Sequence, residues 1–301
     1  MLNRKNKLLL LKVLSLFSVV RGYNILMIIL AQYLASIYIL SPNLPLRKVI
    51  FDLNLLCIVI ASALVVASGY IINNFYDAEK DLINKPAKSM LDRLVSQRFK
   101  LTIYFLLNLL AVFVASYVSF RAVVFFSVYI FSIWLYSHKL KKIPFLGNVV
   151  SASLAIAPFF AVFVYYKNFE TVIFFHAFFL FLLILSREMI KDLENISGDI
   201  AQNYKTIPII YGPKTSKICI SILIILALIP SLALILNYNV GYMNYYFGVC
   251  IGLLIFFLLL LFKATTKRNY VWLHNILKLI IIVGVFSILL IDVDLVLNRI
   301  I

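Results

Sequence analysis

Two short acid-rich stretches, residues 73–81 and 188–199, contain the side chains of this sequence that are best suited to chemistry. They hold seven of the twelve acidic residues, namely Asp77, Glu79, Asp81, Glu188, Asp192, Glu194 and Asp199. The rest of the chain is strongly apolar, with 64% hydrophobic residues and a mean hydropathy of +1.03. Clustered carboxylates in such a chain indicate cation binding, proton transfer or a hydrated loop.

The spacing within each stretch predicts that the oxygen ligands share one face of a helix. Residues three and four apart are neighbours on a helix surface, and both stretches follow this rule if the second helix continues through Gly198. Mg²⁺ in proteins commonly combines one or two carboxylates with phosphate oxygens of a substrate. The sequence therefore predicts a site for Mg²⁺ and a diphosphate. The predicted metal ligands are Asn73, Asp77, Asp81, Asp192, Asn195 and Asp199.

Each row of oxygen ligands along a helix face is called a stripe below. Basic residues accompany both stripes, as a diphosphate site requires. The lysines of the loop 139–142 also suit a second role, because loop lysines set membrane orientation. The basic residues predicted to bind the diphosphate are Lys85, Lys88, Lys139, Lys142, Arg187 and Lys191, with Arg93 and Lys141 close by in the sequence.

Composition places the protein in a membrane. Soluble domains are about 45–50% apolar and about 25% charged, whereas this chain is 64% and 13%. The net charge of +16 does not predict a nucleic-acid partner, because the basic residues are dispersed among short loops between apolar runs. The three cysteines lie far apart in apolar surroundings and predict no disulfide framework.

Nine apolar runs are long enough to cross a bilayer, which takes roughly 20 residues. The fold class is therefore predicted to be an all-α membrane protein, a bundle of nine transmembrane helices with a cytoplasm-facing central cavity. The predicted spans are about 17–40, 53–75, 101–119, 121–137, 145–166, 169–187, 215–237, 243–264 and 271–291.

The distribution of basic residues predicts the orientation. Short cytoplasmic loops are enriched in Lys and Arg, and most of the 28 basic residues fall at the N-terminus and in every second loop. The N-terminus and both acid-rich stretches are thus predicted on the cytoplasmic side of the cell membrane, and the C-terminus outside. The basic residues on the opposite side are Arg47, Lys48, Arg121, Lys167 and Arg299.

The chain is predicted to form a basic N-terminal segment, 1–12, and one transmembrane domain, 13–301. Each acid-rich stretch follows the second helix of a group of four, which hints at an internal duplication. Lys278 stands alone within the last span, where it needs a partner or must extend its ammonium towards an interface.

The two stripes resemble the two signatures of the UbiA family of intramembrane prenyltransferases. The first is Asn73-x-x-x-Asp77-x-x-x-Asp81 followed by Asn84-Lys85-Pro86, and the second runs from Arg187 through Asp192 to Asp199. Further family patterns occur in helix 1 and around the 4–5 loop, so the likeness spans the chain. The residues that carry these further matches are Arg21, Asn24, Tyr136, Ser137, Lys139, Leu140, Lys141, Gly147 and Asn148.

The resemblance implies a Mg²⁺-dependent transfer of an isoprenyl group from a polyprenyl diphosphate to a lipid-soluble acceptor. In that family the metal and basic residues draw off the diphosphate, and a lipid-walled cavity protects the allylic cation. The carboxylates Asp77, Asp81, Asp192 and Asp199 would be catalytic, Tyr136 would face the cation, and Arg21, Asn24 and Asn73 would join the diphosphate site. Two positions depart from the family, since Asn74 and Asn195 stand where aspartate is usual.

The acceptor is left open by the sequence. The stretch 187–194 most resembles the branch that alkylates geranylgeranylglyceryl phosphate to make ether lipids, and aromatic acceptors of quinone biosynthesis are the alternative. A cation-coupled transporter is the alternative of another class. It predicts acidic residues at mid-membrane and helices broken by Gly or Pro, but here the acids lie at helix ends and there are nine glycines.

Overall fold

The computed structural model describes residues 4–293, and the regular secondary structure in this range is entirely helical, without strands. A π-helical segment, Ser36–Leu40, extends the second helix. The helices α1 to α15, in chain order, are Arg4–Val20, Gly22–Ala35, Leu46–Ile50, Leu53–Tyr76, Ala78–Asn84, Pro86–Asp92, Gln97–Val118, Phe120–His138, Leu146–Tyr166, Thr171–Glu194, Ile196–Ala201, Ile207–Ile210, Gly212–Asn237, Met243–Lys263 and Lys267–Ser287.

Nine of the described helices are long and apolar enough to cross a membrane, which confirms the predicted all-α membrane class and span count. They are α2 with its π-helical extension, α4, α7, α8, α9, α10, α13, α14 and α15. The first span begins at Gly22 rather than near residue 17, because Arg21 has a left-handed backbone (φ 50°) that ends α1. An apolar run alone does not reveal such a break.

The predicted N-terminal boundary at residue 12 falls inside α1, which runs without interruption from Arg4 to Val20. Residues 1–3 and 294–301 lie outside the described residues, and with them lies the C-terminus that was predicted on the outer side.

The two central spans carry the acid-rich stretches at their ends. In the most apolar segment of each helix, more than half of the residues of α4 and half of those of α10 are buried, compared with 22% in both α7 and α8. Helix α4 packs on α7 and α10 on α13, while α2, α9 and α15 complete a ring around a cavity. Large apolar side chains cover the outside, with Phe120, Leu236 and Leu109 exposed by 80%, 76% and 69%. Lipid is the environment that suits such a surface.

The chain repeats one order of elements after each central span. A single residue outside the helix, Asp77 or Asn195, separates α4 from α5 and α10 from α11. Short helices with proline in the first turn follow, α6 and α12, and then the long spans α7 and α13. The same sequence of long, short, short and long helices thus brings each acidic stretch to a helix end.

A proline within α9 leaves a backbone carbonyl without its helical hydrogen bond, and neighbouring helices supply the missing polar contacts. Pro158 has no N–H, so the carbonyl of Leu154 lacks its helical hydrogen bond. The Tyr129 hydroxyl donates to that carbonyl at 2.9 Å, and Gln32 Nε2 donates to the Pro158 carbonyl at 2.8 Å. Because unpaired backbone groups are costly in lipid, these bonds fix α9 against α8 and α2.

We expect Tyr129→Phe to destabilise the protein by about 1 kcal/mol, because it leaves the Leu154 carbonyl without a donor. Thermal unfolding in detergent should show a midpoint lowered by roughly 2 °C, while Tyr117→Phe, at a tyrosine that is 69% exposed, should leave the midpoint unchanged. In a Pro158→Ala background, which restores the N–H, the cost of Tyr129→Phe should shrink. An equal cost in both backgrounds would contradict this role of the hydroxyl.

Candidate active site

Both acidic stripes keep helical register despite the break between their helices. The Asp77 amide donates to the Asn73 carbonyl at 2.9 Å, and the Asp81 amide to the Asp77 carbonyl at 2.8 Å. In the second stretch, the Asp199 amide donates to the Asn195 carbonyl at 3.1 Å. The oxygen ligands of each stretch therefore lie along one face, as their spacing predicts.

The two stripes meet at the same end of the bundle. Lys80, from the first stretch, forms an ion pair with Asp199 of the second. The Asn84 side chain spans the same boundary, since its amide group donates to the Asn195 carbonyl at 3.4 Å and its oxygen accepts from the Gly198 amide at 3.2 Å. Helices α5 and α11 are thus joined by direct polar contacts.

Asp77 lies in the middle of this joint site. Its carboxylate accepts from Lys141 Nζ at 2.6 Å and from the Tyr204 hydroxyl at 2.9 Å. Burial opposes its ionisation, but the ammonium groups of Lys141 and Lys80 outweigh burial and lower the pKa of Asp77. The Tyr204 ring also faces Lys80, whose Nζ lies 4.4 Å from the ring centroid. Asp77 is therefore an ionised carboxylate surrounded by cations.

Lys80 is the cation shared by the two stripes. Burial alone would discharge it, but Asp77 and Asp199 raise the pKa of Lys80 above its ordinary value. Asp199 is fully buried, and this burial raises its pKa although Lys80 lies against it. One ammonium of the first stretch thus pairs with a carboxylate of the second, and the nearby charge of Asp77 stabilises the same ammonium.

The remaining predicted metal ligands have fewer hydrogen bonds and ion pairs. Burial and the charge of Asp77 raise the pKa of Asp81, which is half-buried. Asp192 accepts from Asn148 Nδ2 at 2.8 Å. The side-chain oxygen of Asn195 is buried and has no hydrogen-bond partner among the described residues. An unpartnered buried acceptor is costly, and a metal ion is a ligand that would satisfy it.

The donor set fits Mg²⁺ together with a phosphate-bearing ligand. Within residues 4–293 no three Asp, Glu, His or Cys side chains form a closed metal-binding cluster. Mg²⁺ does not require one, because it binds through one or two carboxylates and takes its other ligands from water and phosphate. Carboxylates from both stripes around Lys80, with the free Asn195 oxygen, supply such partial ligand sets.

A cavity of about 460 Å³ extends from this site into the bundle. Its lining along α2 runs from Arg21 to Ile39, which is roughly 27 Å at 1.5 Å per residue. Asn73 and Tyr136 line its polar end, and Ile288 lies at the other. A narrow, largely apolar cavity of this length suits an extended hydrocarbon chain.

Several predicted basic or polar residues do line the polar end. Arg21 packs its guanidinium over the Tyr70 ring at 5.0 Å, and Asn24 donates to the Tyr70 hydroxyl at 2.9 Å. Arg187 contacts Glu188 at 3.4 Å and lies 3.0 Å from the His274 ring nitrogen Nε2. Lys191 pairs with Glu188. These residues together surround the cavity entrance with positive charge.

Other predicted diphosphate ligands do not line the cavity. Lys139 and Lys142 are exposed, although Lys142 Nζ lies 5.2 Å from the centroid of the Tyr204 ring, whereas Lys141 points inward and contacts Asp77. Lys88 is held by Asp92 of its own helix at 2.7 Å. Lys85 lies 4.0 Å from Glu194. Within the 139–142 loop, the described ion pairs give a carboxylate partner to Lys141 alone.

The structure explains why position 74 carries an amide. Asn74 is buried behind the stripe, donates to Asp92 at 3.0 Å and accepts from Lys100 Nζ at 2.9 Å. An aspartate would lose the donor and place a second negative charge beside Asp92. The side chain thus belongs to a supporting network and not to the predicted metal stripe.

Lys80, Tyr204 and Asn84 join the two stripes, and the sequence pattern predicted no role in the site for any of them. Asn84 had a signal, because it continues the 73, 77, 81 stripe three residues further on. Lys80 had a weaker one, as the basic residue inside the first stretch. Tyr204 had none, because its approach to Asp77 follows a turn in which Asn203 takes a left-handed conformation.

The model of the UbiA prenyltransferase family matches residues 16–282. Digeranylgeranylglyceryl phosphate synthase of Methanobrevibacter smithii is 32% identical over 262 residues, 83% of this chain and 86% of the relative. The protein of that name from Thermococcus sibiricus is 31% identical over 225 residues, 74% and 79% of the two chains.

Solved structures share the fold. A structure described as digeranylgeranylglyceryl phosphate synthase in membranes has a TM-score of 0.69 at 23% identity, covering 92% of this chain and 97% of that one. A UbiA homolog from Archaeoglobus fulgidus bound to GPP and Mg²⁺ has a TM-score of 0.66 at 14% identity, covering 91% and 99%.

We expect Gly198→Ala to weaken divalent metal binding by about tenfold or more, because the new methyl group would displace the Asn84 side chain and break the hydrogen bonds by which it joins α5 to α11. Mn²⁺ titration in the presence of pyrophosphate, followed by electron paramagnetic resonance, measures this. Gly252→Ala is the control, since no atom lies within 4 Å of the position of its added carbon. Unchanged Mn²⁺ affinity in Gly198→Ala would show that close apposition of the two helices is not needed.

Proposed function

This chain belongs to the UbiA prenyltransferase family, and from this premise we propose that it transfers a geranylgeranyl group from geranylgeranyl diphosphate to geranylgeranylglyceryl phosphate. The observation that carries the proposal is the ion pair between Lys80 of the first stretch and Asp199 of the second, beside Asp77 with its own ion pair to Lys141. It supports one shared cation site formed by both signatures. The names of the relatives support the acceptor.

Mg²⁺ would be held by the two stripes, through Asn73, Asp77 and Asp81 on one side and Asp192, Asn195 and Asp199 on the other. When bound, it neutralises negative charge on the departing diphosphate. Asn148 and Tyr204 keep their hydrogen bonds to Asp192 and Asp77, which orients those carboxylates before substrate arrives.

The basic residues at the cavity entrance would bind the remaining diphosphate charge. Arg21, Arg187 and Lys191 line the cavity beside Asn73, and Lys80 and Lys141 stand among the carboxylates. Prealigned cations in a site with little water stabilise a leaving anion more strongly than bulk solvent does. Arg21, held over Tyr70, is prealigned in this sense.

The cavity would hold the isoprenyl chain and keep water from the electron-poor carbon. Tyr136 and Tyr70 line its polar end, where their ring faces can stabilise positive charge. The acceptor hydroxyl attacks carbon 1 of the isoprenyl chain, the bond from that carbon to the diphosphate oxygen breaks, and the hydroxyl proton is released. The products are the ether and pyrophosphate.

The competing functions have less support. No relative named above is a transferase with an aromatic acceptor. A transporter would need its carboxylates inside the spans, whereas Asp77, Asp81 and Asp199 follow the ends of α4 and α10. The acidic stretches thus favour a membrane-surface reaction over passage of an ion through the bilayer.

The active site would face the cytoplasm. Both acidic stripes share their end of the bundle with the basic loops, and basic loops remain on the cytoplasmic side. The N-terminus would lie on that side as well, and the C-terminus outside.

We expect Asp77→Asn to reduce pyrophosphate release by about 100-fold or more, because the amide cannot supply the charge that Lys141, Lys80 and a metal ion balance. The assay uses purified protein, Mg²⁺, geranylgeranyl diphosphate and geranylgeranylglyceryl phosphate. Glu170→Gln, an exposed carboxylate at the far end of α10, should keep full activity. Undiminished turnover by Asp77→Asn would remove the carboxylate from the reaction.

We expect single cysteines on the two faces of the bundle to react from opposite sides of the membrane. The background replaces Cys57, Cys219 and Cys250 by alanine, and the probes are Thr265→Cys and Asn239→Cys, both exposed. A membrane-impermeant maleimide should label Asn239→Cys in intact cells and Thr265→Cys only after the membrane is opened. The reverse pattern would overturn the orientation.

A further inference from the structure

Lys278 is a cation within the last span that has no acidic partner among the described residues. It lies eleven residues after the first residue of α15, which is roughly 16 Å along the helix. The described ion pairs do not include it, and its contact is with the Tyr23 ring, 4.7 Å from Nζ to the centroid. A lysine at such depth is costly and usually marks a functional site.

The Tyr23 ring positions the ammonium without neutralising it. A cation over an aromatic face is stabilised by the ring electrons, but its full charge remains available to an anion. Tyr23 is the second residue of α2, so the lysine side chain extends from the middle of α15 towards the polar end of the cavity. The ammonium and the ring both line that cavity.

Lys278 lies one helical turn deeper than the cations at the entrance. His274, four residues earlier and on the same face of α15, is 3.0 Å from Arg187. Arg187 and Arg21 line the polar end of the cavity. The pair Lys278–Tyr23 therefore borders the entrance charges but stands apart from Asp77, Lys80 and Asp199, which lie beyond the ends of the spans α4 and α10.

The pair also lies where the cavity meets the outside of the bundle. Tyr23 lines the cavity and is 51% exposed, and its neighbours on the adjoining surfaces of α2 and α15, Leu26 and Leu279, are 64% and 58% exposed. An amphiphilic molecule that enters from the bilayer between these helices would bring a charged headgroup past Lys278.

We propose that Lys278, positioned by Tyr23, binds the phosphate monoester of the acceptor lipid. The inference rests on the proposed function, in which two anionic substrates occupy the cavity together. The metal and the cations at the entrance neutralise the charge of the diphosphate. Lys278, one helical turn away and beside the lipid-facing side, neutralises the charge of the acceptor phosphate. A separate phosphate site also keeps the acceptor hydroxyl, and not its phosphate, directed at the isoprenyl carbon.

The test compares the acceptor with its unphosphorylated form, geranylgeranylglycerol, in wild type, Lys278→Met and Lys278→Arg. We expect Lys278→Met to lower kcat/KM for geranylgeranylglyceryl phosphate by about 10- to 100-fold, the loss typical of a hydrogen bond to a charged group. For geranylgeranylglycerol, kcat/KM should stay within about threefold of wild type. Lys278→Arg should retain most of the preference for the phosphate, and KM for geranylgeranyl diphosphate should be unchanged.

The matched control is Lys48→Met, which removes an exposed lysine at the other end of the bundle and should leave both acceptors unaffected. Equal losses on both acceptors in Lys278→Met would assign the lysine a structural role and overturn the inference. A raised KM for the diphosphate would assign it to the metal site and also overturn it. Failure of the proposed function is distinct, because the wild type itself would then turn over neither glycerol acceptor.

Discussion

The organisation of this protein depends on the gathering of negative charge at one end of an apolar bundle. Asp77 and Asp199 come from stretches more than a hundred residues apart, and each is largely removed from water. Buried carboxylates remain ionised only beside cations. Lys80 and Lys141 supply that charge: Lys80 joins α5 to α11 through Asp199, and Lys141 joins the loop 139–142 to Asp77. The same requirement for positive charge makes the site receptive to a metal ion with a diphosphate.

The bundle keeps this charged site at its end, apart from the hydrocarbon of the membrane. The central spans α4 and α10 end at the acidic stretches, so the two most buried spans position the charges. Within the membrane, polar groups are satisfied locally, as with Tyr129 at the Leu154 carbonyl and Gln32 at the Pro158 carbonyl. These bonds leave a cavity between helices that is polar at one end and apolar along its length. A substrate with a charged head and a hydrocarbon tail matches that division.

The two asparagines at positions where the family usually has aspartate have different physical reasons. Asn74 must donate to Asp92 and accept from Lys100 at the same time, which an amide can do and a carboxylate cannot. Asn195 keeps an unpartnered buried oxygen next to the contact with Asn84, so it retains the capacity to bind a cation at lower charge. The first departure is structural, and the second lies within the site.

The sequence by itself determined the nine spans, the all-helical class, the two acidic stripes and the family, because hydrophobic length and helical spacing are local properties of the chain. It also located Arg187, Lys191, Asn24 and Arg21 near the site. Only the tertiary structure decided which basic side chains face the carboxylates. Lys141 turns inward while Lys139 and Lys142 are exposed, Lys88 is held by Asp92, and Tyr204 reaches Asp77 across a turn. The direction of a side chain in a loop depends on contacts with residues distant in sequence, and no periodic pattern encodes it.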